Sequence, residues 1–143
     1  MPRCLENEQV QIEPQAANRH PKSVSLLLRT EGLAVALAAI AVYWLLGGPW
    51  WLFLLLILVP DLAAVGYFAG PAAGAATYNS VHNYALPLVI GAIAYFGGAP
   101  FLLPFVAIWI AHIGGDRALG YGLKYPAAFQ QTHLGPIGKA RNG

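Results

Sequence analysis

Charge is what this chain has least of. Only 10% of its 143 residues are Asp, Glu, Lys or Arg, well under the level of about a quarter found in soluble domains. No residue from 32 to 60 carries a charge, and the first to do so is Asp61. A helix that faces water needs a polar outer stripe. The long apolar runs display none, which argues against a soluble helical domain. Cysteine is nearly absent as well: the single Cys4 excludes an internal disulfide and reads as an incidental reduced thiol in a polar tail. There is no phosphate-cradling glycine loop, no Cys pair and no nucleophile elbow. A net charge of +2 is too small to imply nucleic acid. The basic residues sit where attraction to anionic lipid accounts for them, so membrane lipids are the expected partners.

What the chain has in abundance is apolar sequence, 57% of residues. A hydrocarbon core about 30 Å thick takes about 20 helical residues, and four runs reach that length: 25–46, 50–69, 75–96 and 101–121. They are punctuated by Gly47, Gly48 and Pro49, then Gly70, Pro71 and Gly74, then Gly97, Gly98 and Pro100. Connections this short make neighbouring helices antiparallel. The expectation is an all-α integral membrane protein, a four-helix transmembrane bundle of up-down-up-down topology within 25–123, with a disordered polar tail over 1–24 and a C-terminal cytoplasmic tail over 124–143. Trp44, Trp50 and Trp51 cluster at the first turn, where an aromatic belt would meet the headgroups. Arg3, Arg19, Lys22 and Arg29 precede or open the first span, Lys124, Lys139 and Arg141 follow the last, and the turns hold none. By the positive-inside rule both termini are cytoplasmic, in a cell inner membrane. The first run follows roughly two dozen polar residues and is too long for a signal-peptide core, so no cleaved signal is expected.

Asp61, His82, His112 and Asp116 lie inside these runs. Ionisable groups at membrane depth are costly unless they face protein, water or a metal, and are functional candidates for that reason. At about 1.5 Å per residue, Asp61 lies about 12 Å and His82 about 10 Å from the cytoplasmic side, with Asn79 and Asn83 beside His82. His112 and Asp116 fall near the end of the fourth run, and Arg29 and Glu31 near the start of the first. All share one polar layer. Pro60 releases the carbonyl of Leu56 and Pro87 that of Asn83; both read either as helix breaks lining a cavity or as ordinary kinks. His112 and Asp116, four residues apart, share a helix face, a spacing that presents two ligands to one metal. Asp61 and His82 complete a two-His, two-carboxylate set suited to zinc, manganese or iron. Alternatives stay open: if Gly114 and Gly115 break the helix, Asp116 is an N-cap; otherwise it can pair with Arg29, Arg117 or Lys124, and His112 can hydrogen-bond a neighbouring helix. His133 is either exposed or folds under the bundle as a further ligand. Gly66, Gly70 and Gly74 form a small-residue stripe that reads as internal packing.

The segments Leu28-Arg29-Thr30-Glu31-Gly32, Pro60-Asp61-Leu62 with Gly66-Tyr67, Tyr78-Asn79 with His82 and Tyr84, and the long run from His112 through Asp116 and Arg117 to Tyr125 resemble a bacterial family of small four-span membrane proteins, number 4260 among the domains of unknown function, over residues 26–138. That resemblance implies the architecture and brings no activity. Pro60-Asp61, His82, and His112 with Asp116 are also similar in order to the motifs of membrane-bound metal-dependent hydrolases, although Ala63 stands where that family has a second acid. The functional expectation is a metal-dependent hydrolase of a lipid-like or phosphate-bearing substrate at the cytoplasmic face. Asp61, His82, His112 and Asp116 would bind a divalent metal, zinc or manganese. Glu31, as general base, and Asp116 would serve catalysis, and Arg29, Arg117, Lys124, Asn79 and Tyr78 would hold the substrate. The alternatives are a transporter or proton-coupled binding protein in which Asp61 and His82 exchange protons, requiring a homo-oligomer because four spans are few, or a structural membrane subunit without catalysis.

Overall fold

The first helix, α1 (Lys22–Leu45), carries Arg29, Thr30 and Glu31 before a charge-free apolar run from 32 to 45, and it ends where Gly47, at φ 73°, turns the chain. The structure, a computed structural model, describes residues 22–126 and 128–136. Helix α2 (Trp50–Leu56) leads into a 3₁₀ helix, Val59–Ala69. After a turn at Gly70 come α3 (Pro71–Val81) and α4 (Ala85–Phe96). A single 3₁₀ turn, Pro100–Leu102, opens α5 (Leu103–Leu119). The stretches Ser23–Leu45, Trp50–Ala69 and Pro100–Leu119 are each long and apolar enough to cross a membrane. They suggest a membrane protein.

Helix α1 lies along α5 more extensively than any other pair of elements. The contact is built from small side chains: Ala36 and Ala39 on α1 and Ala107 and Ala111 on α5 are buried. Backbone meets backbone there, since a Cβ on Gly114 would lie 2.7 Å from the Ala36 nitrogen and 2.8 Å from the Gly32 oxygen. This seam, Gly32-Ala36-Ala39 against Ala107-Ala111-Gly114, is legible as small residues at helical spacing, although the stripe singled out from sequence was Gly66-Gly70-Gly74. Within that stripe, Gly66 accommodates Thr77 and Gly74 accommodates the Tyr67 ring, so both join the 3₁₀ helix to α3. Gly70 differs: it has open space and a φ of 111°, which makes it a turn residue. At the far end, Tyr43 is fully buried, donates from its hydroxyl to the Pro49 carbonyl at 2.8 Å, and meets Phe53 edge-on at 5.2 Å between centroids.

The expected third span, 75–96, is not one helix. It is two, α3 and α4, parted at His82, Asn83 and Tyr84. Pro87 has no N–H to give the Asn83 carbonyl, so the chain restarts a helix there. Asn83 caps the new helix by accepting the Leu86 N–H on Oδ1 at 3.2 Å. The exposed end of α3 must find other donors. Trp109 Nε1 donates to the Val81 carbonyl at 2.7 Å, and Arg117 donates to the His82 carbonyl at 3.2 Å.

The expected C-terminal tail also has structure. Beyond α5, strands β1 (Lys124–Tyr125), β2 (Ala128–Thr132) and β3 (Gly135–Pro136) form a small antiparallel sheet in that order, with Lys124 opposite Thr132 and Thr132 opposite Gly135. The chain is therefore helical with a short sheet at one end. The expected tail over 1–24 lies outside the described residues except for its last three.

Candidate metal centre

Four side chains from three elements converge. Asp61 stands in the first turn of the 3₁₀ helix, His82 terminates α3, and His112 and Asp116 are one turn apart on α5. Helix α5 is unbroken through Gly114 and Gly115, so Asp116 is not an N-cap and shares a face with His112. His82 Nε2 lies 3.1 Å from His112 Nε2, 3.4 Å from Asp61 Oδ1 and 3.7 Å from Asp116 Oδ2. His112 Nε2 lies 3.6 Å from Asp61 Oδ1 and 3.9 Å from Asp116 Oδ2. One donor atom from each residue falls within 4.8 Å of all the others. Four donors at about 2.0–2.1 Å from one zinc ion stand about 3.3–3.4 Å apart along the edges of a tetrahedron. The observed separations bracket that edge, so the cluster could hold a metal ion.

The donor chemistry agrees. The Tyr78 carbonyl can only accept, and it lies 2.9 Å from His82 Nδ1. The proton is therefore on Nδ1, and a neutral His82 aims the Nε2 lone pair at His112. Two imidazole nitrogens this close need a shared proton or a cation between them. A carbonyl holding the second nitrogen is the usual way a protein orients a ligating histidine. Tyr78 contributes twice more: its ring stacks on His82 at 3.6 Å between centroids, and its hydroxyl donates to Asp116 Oδ2 at 3.0 Å. Both imidazoles are buried, Asp116 is 20% exposed and Asp61 48% exposed. The centre is closed on the histidine side and open at Asp61.

Of the other residues singled out from the sequence, Tyr78 touches this cluster directly and Lys124 lies over the Tyr78 ring. Lys124 is only 3% exposed and its Nζ lies 5.1 Å from the Tyr78 ring centroid. Burial holds its ammonium pKa below the ordinary lysine value, against the opposing pull of the Asp116 and Asp61 charges. Asn79 has its amide engaged elsewhere: it donates to the Lys124 carbonyl at 2.8 Å and accepts the Lys124 N–H at 2.7 Å, pinning β1 to α3. Arg29 donates to the Ala118 carbonyl at 2.8 Å and so caps α5. Arg117 bonds the His82 carbonyl and reaches His133. Glu31 is exposed and lines a separate cavity of about 280 Å³ with Tyr84, Arg117 and His133. His133 lies against Arg117, whose Nη1 is 2.7 Å from His133 Nε2, but its Nδ1 accepts the Leu123 N–H at 2.8 Å, and it is not among the four grouped donors.

Sequence reasoning missed what the main chain does here. The Tyr78 carbonyl that sets the His82 tautomer and the β1 strand that seats Lys124 depend on where α3 stops, and no local pattern announces that stop except Asn83 with Pro87. No curated protein and no solved structure matches the chain. The family described as Domain of unknown function (DUF4260) matches residues 25–137, most of the chain, and the chain belongs to that family.

Proposed function

We propose that the chain is a divalent-metal hydrolase of the membrane, acting at the cytoplasmic face on a lipid-like or phosphate-bearing substrate. The observation that carries this reading is the set of five donor separations between 3.1 and 3.9 Å among Asp61, His82, His112 and Asp116. A bound zinc or manganese ion supplies Lewis acidity and lowers the pKa of water. The protein's own groups do the rest. His82 and His112 hold the buried side of the centre, and Asp61 leaves the open side to substrate. Asp61 and Asp116 face the cluster through Oδ1 and Oδ2 respectively, and the second oxygen of either carboxylate would accept the proton of the attacking water, whose hydroxyl would join the acyl or phosphoryl group while a proton goes to the leaving oxygen. Lys124 supplies positive charge for the substrate's anionic group, while Arg117, engaged by the His82 carbonyl and His133, is given no part. Glu31 lines a different cavity and is given no part.

In this reading α3 and α4 together make the third of four spans, and both termini lie in the cytoplasm of an inner membrane. The departure of a helix from regularity at His82 fits a membrane site, because irregular backbone at bilayer depth is tolerated where it is buried in protein or lines a cavity. Metal analysis of the full chain, purified in detergent without chelator, tests the proposal. About one zinc or manganese per chain is expected. The 3.1 Å approach of the two imidazoles also suits a proton relay. Metal-free wild-type protein, together with a pH-dependent flux in proteoliposomes abolished by Asp61→Asn, would favour that alternative.

A further inference from the structure

Against the metal centre lies a groove of about 380 Å³ between the 3₁₀ helix and α5. Its walls include Val59, Pro60, Ala63, Val81, Ile108 and Trp109, none of them charged. The Trp109 N–H is spent on the Val81 carbonyl, so the indole offers the groove no hydrogen-bond donor. The volume falls in the range of small-molecule pockets, roughly 300–1,000 Å³.

The groove and the polar centre are continuous in the chain. Pro60 adjoins Asp61, Val81 adjoins His82, and Ile108 lies one helical turn before His112. Phe105, which also lines the groove and is 45% exposed, marks its far end. From Phe105 to Asp116 the rise along α5 is about 16 Å. A polar end at Asp61 and Lys124 and a dry end at Phe105 describe an amphiphile lying along α5.

We propose that this groove takes the hydrocarbon chain of a phosphate-bearing membrane lipid whose headgroup meets the four-residue centre. This rests on the metal reading above and narrows its substrate class to an amphiphile that enters from the bilayer. A chain that leaves lipid for the groove exchanges one apolar surroundings for another, so it gains little hydrophobic energy. The groove therefore acts through shape, by setting which bond of the substrate lies at the metal.

The test uses the full chain in detergent micelles, loaded with cobalt as a coloured substitute for the native metal. The ligand-field spectrum is titrated with hexadecyl phosphate and separately with inorganic phosphate. Hexadecyl phosphate is expected to perturb the wild-type spectrum at lower concentration than inorganic phosphate. Ala63→Phe and Val59→Trp fill the groove from two positions, and either should weaken the response to hexadecyl phosphate by roughly 5- to 150-fold, the range that overpacking an apolar site implies. Their response to inorganic phosphate should stay at the wild-type level. Leu54→Trp, at a 70% exposed position that does not line the groove, should behave as wild type in both titrations. Equal responses to the two phosphates in the wild type, or an undiminished response to hexadecyl phosphate in whichever groove variant binds cobalt, would overturn the inference and leave the metal centre standing. A wild-type chain that binds no cobalt would overturn both.

Discussion

Replacing His112 with Ala removes one of four donors from the centre and provides no substitute. Among the described residues the one further imidazole, His133, is held by the Leu123 N–H at 2.8 Å and lies outside the group of four. Structural zinc sites bind with roughly 10–16 kcal/mol. Shared evenly over four donors, each is worth about 2.5–4 kcal/mol, so the variant should lose roughly 10²- to 10³-fold in metal affinity. A water molecule taking the place of the ring would bring the loss towards the lower figure. The assay is elemental analysis of detergent-purified protein after dialysis against a chelator graded in strength, with wild type, His82→Ala, His112→Ala and His133→Ala in parallel. Wild type and His133→Ala should retain metal at chelator strengths that strip the other two. Acidification should release it from wild type, because protons compete for the same nitrogen and oxygen donors. Stoichiometric metal persisting unchanged in both His82→Ala and His112→Ala would show that the metal is held by other residues.

Reporter fusions at either end should both report from the cytoplasm; a periplasmic signal from the C-terminal fusion would refute the four-span topology. Gly114→Ala should destabilise by about 1–3 kcal/mol in thermal unfolding, because its Cβ would lie 2.7 Å from backbone of α1. Gly115→Ala, with nothing within 4 Å, should be neutral or gain up to about 1 kcal/mol from helix propensity; equal losses at both sites would refute the close α1–α5 seam. Burial depresses the pKa of Lys124 below its ordinary 10.5, so the unfolded chain binds more protons between the folded value and 10.5. The stability of wild type relative to Lys124→Met should therefore rise with pH through the window just below 10.5. A pH-independent difference would show that the ammonium is not desolvated by the fold.

The membrane character was legible because it is a property of composition and run length. Backbone groups in lipid have no partners outside their own helix, so an apolar run of sufficient length announces itself without tertiary information. The four donors were legible for the same reason in reverse: an Asp or His costs so much at that depth that its presence asks for an explanation. His112 and Asp116 needed only the helical period.

What the sequence by itself determined is thus the set of apolar helices and the short roll of polar residues among them. Tertiary structure alone decided three things. It split the 75–96 run at His82, because Asn83 could cap a new helix and because Trp109 and Arg117, distant in sequence, could satisfy the carbonyls left behind. It sent Arg29, Asn79 and Arg117 to main-chain carbonyls, while Glu31 came to line a separate cavity, since a shared depth along the membrane normal says nothing about direction around the helix axis. It brought Tyr78, which the helical period already sets one turn before His82, onto Asp116 of α5. Each outcome depends on which groups meet across helices, and depth and periodicity, being properties of one helix at a time, carry no information about that.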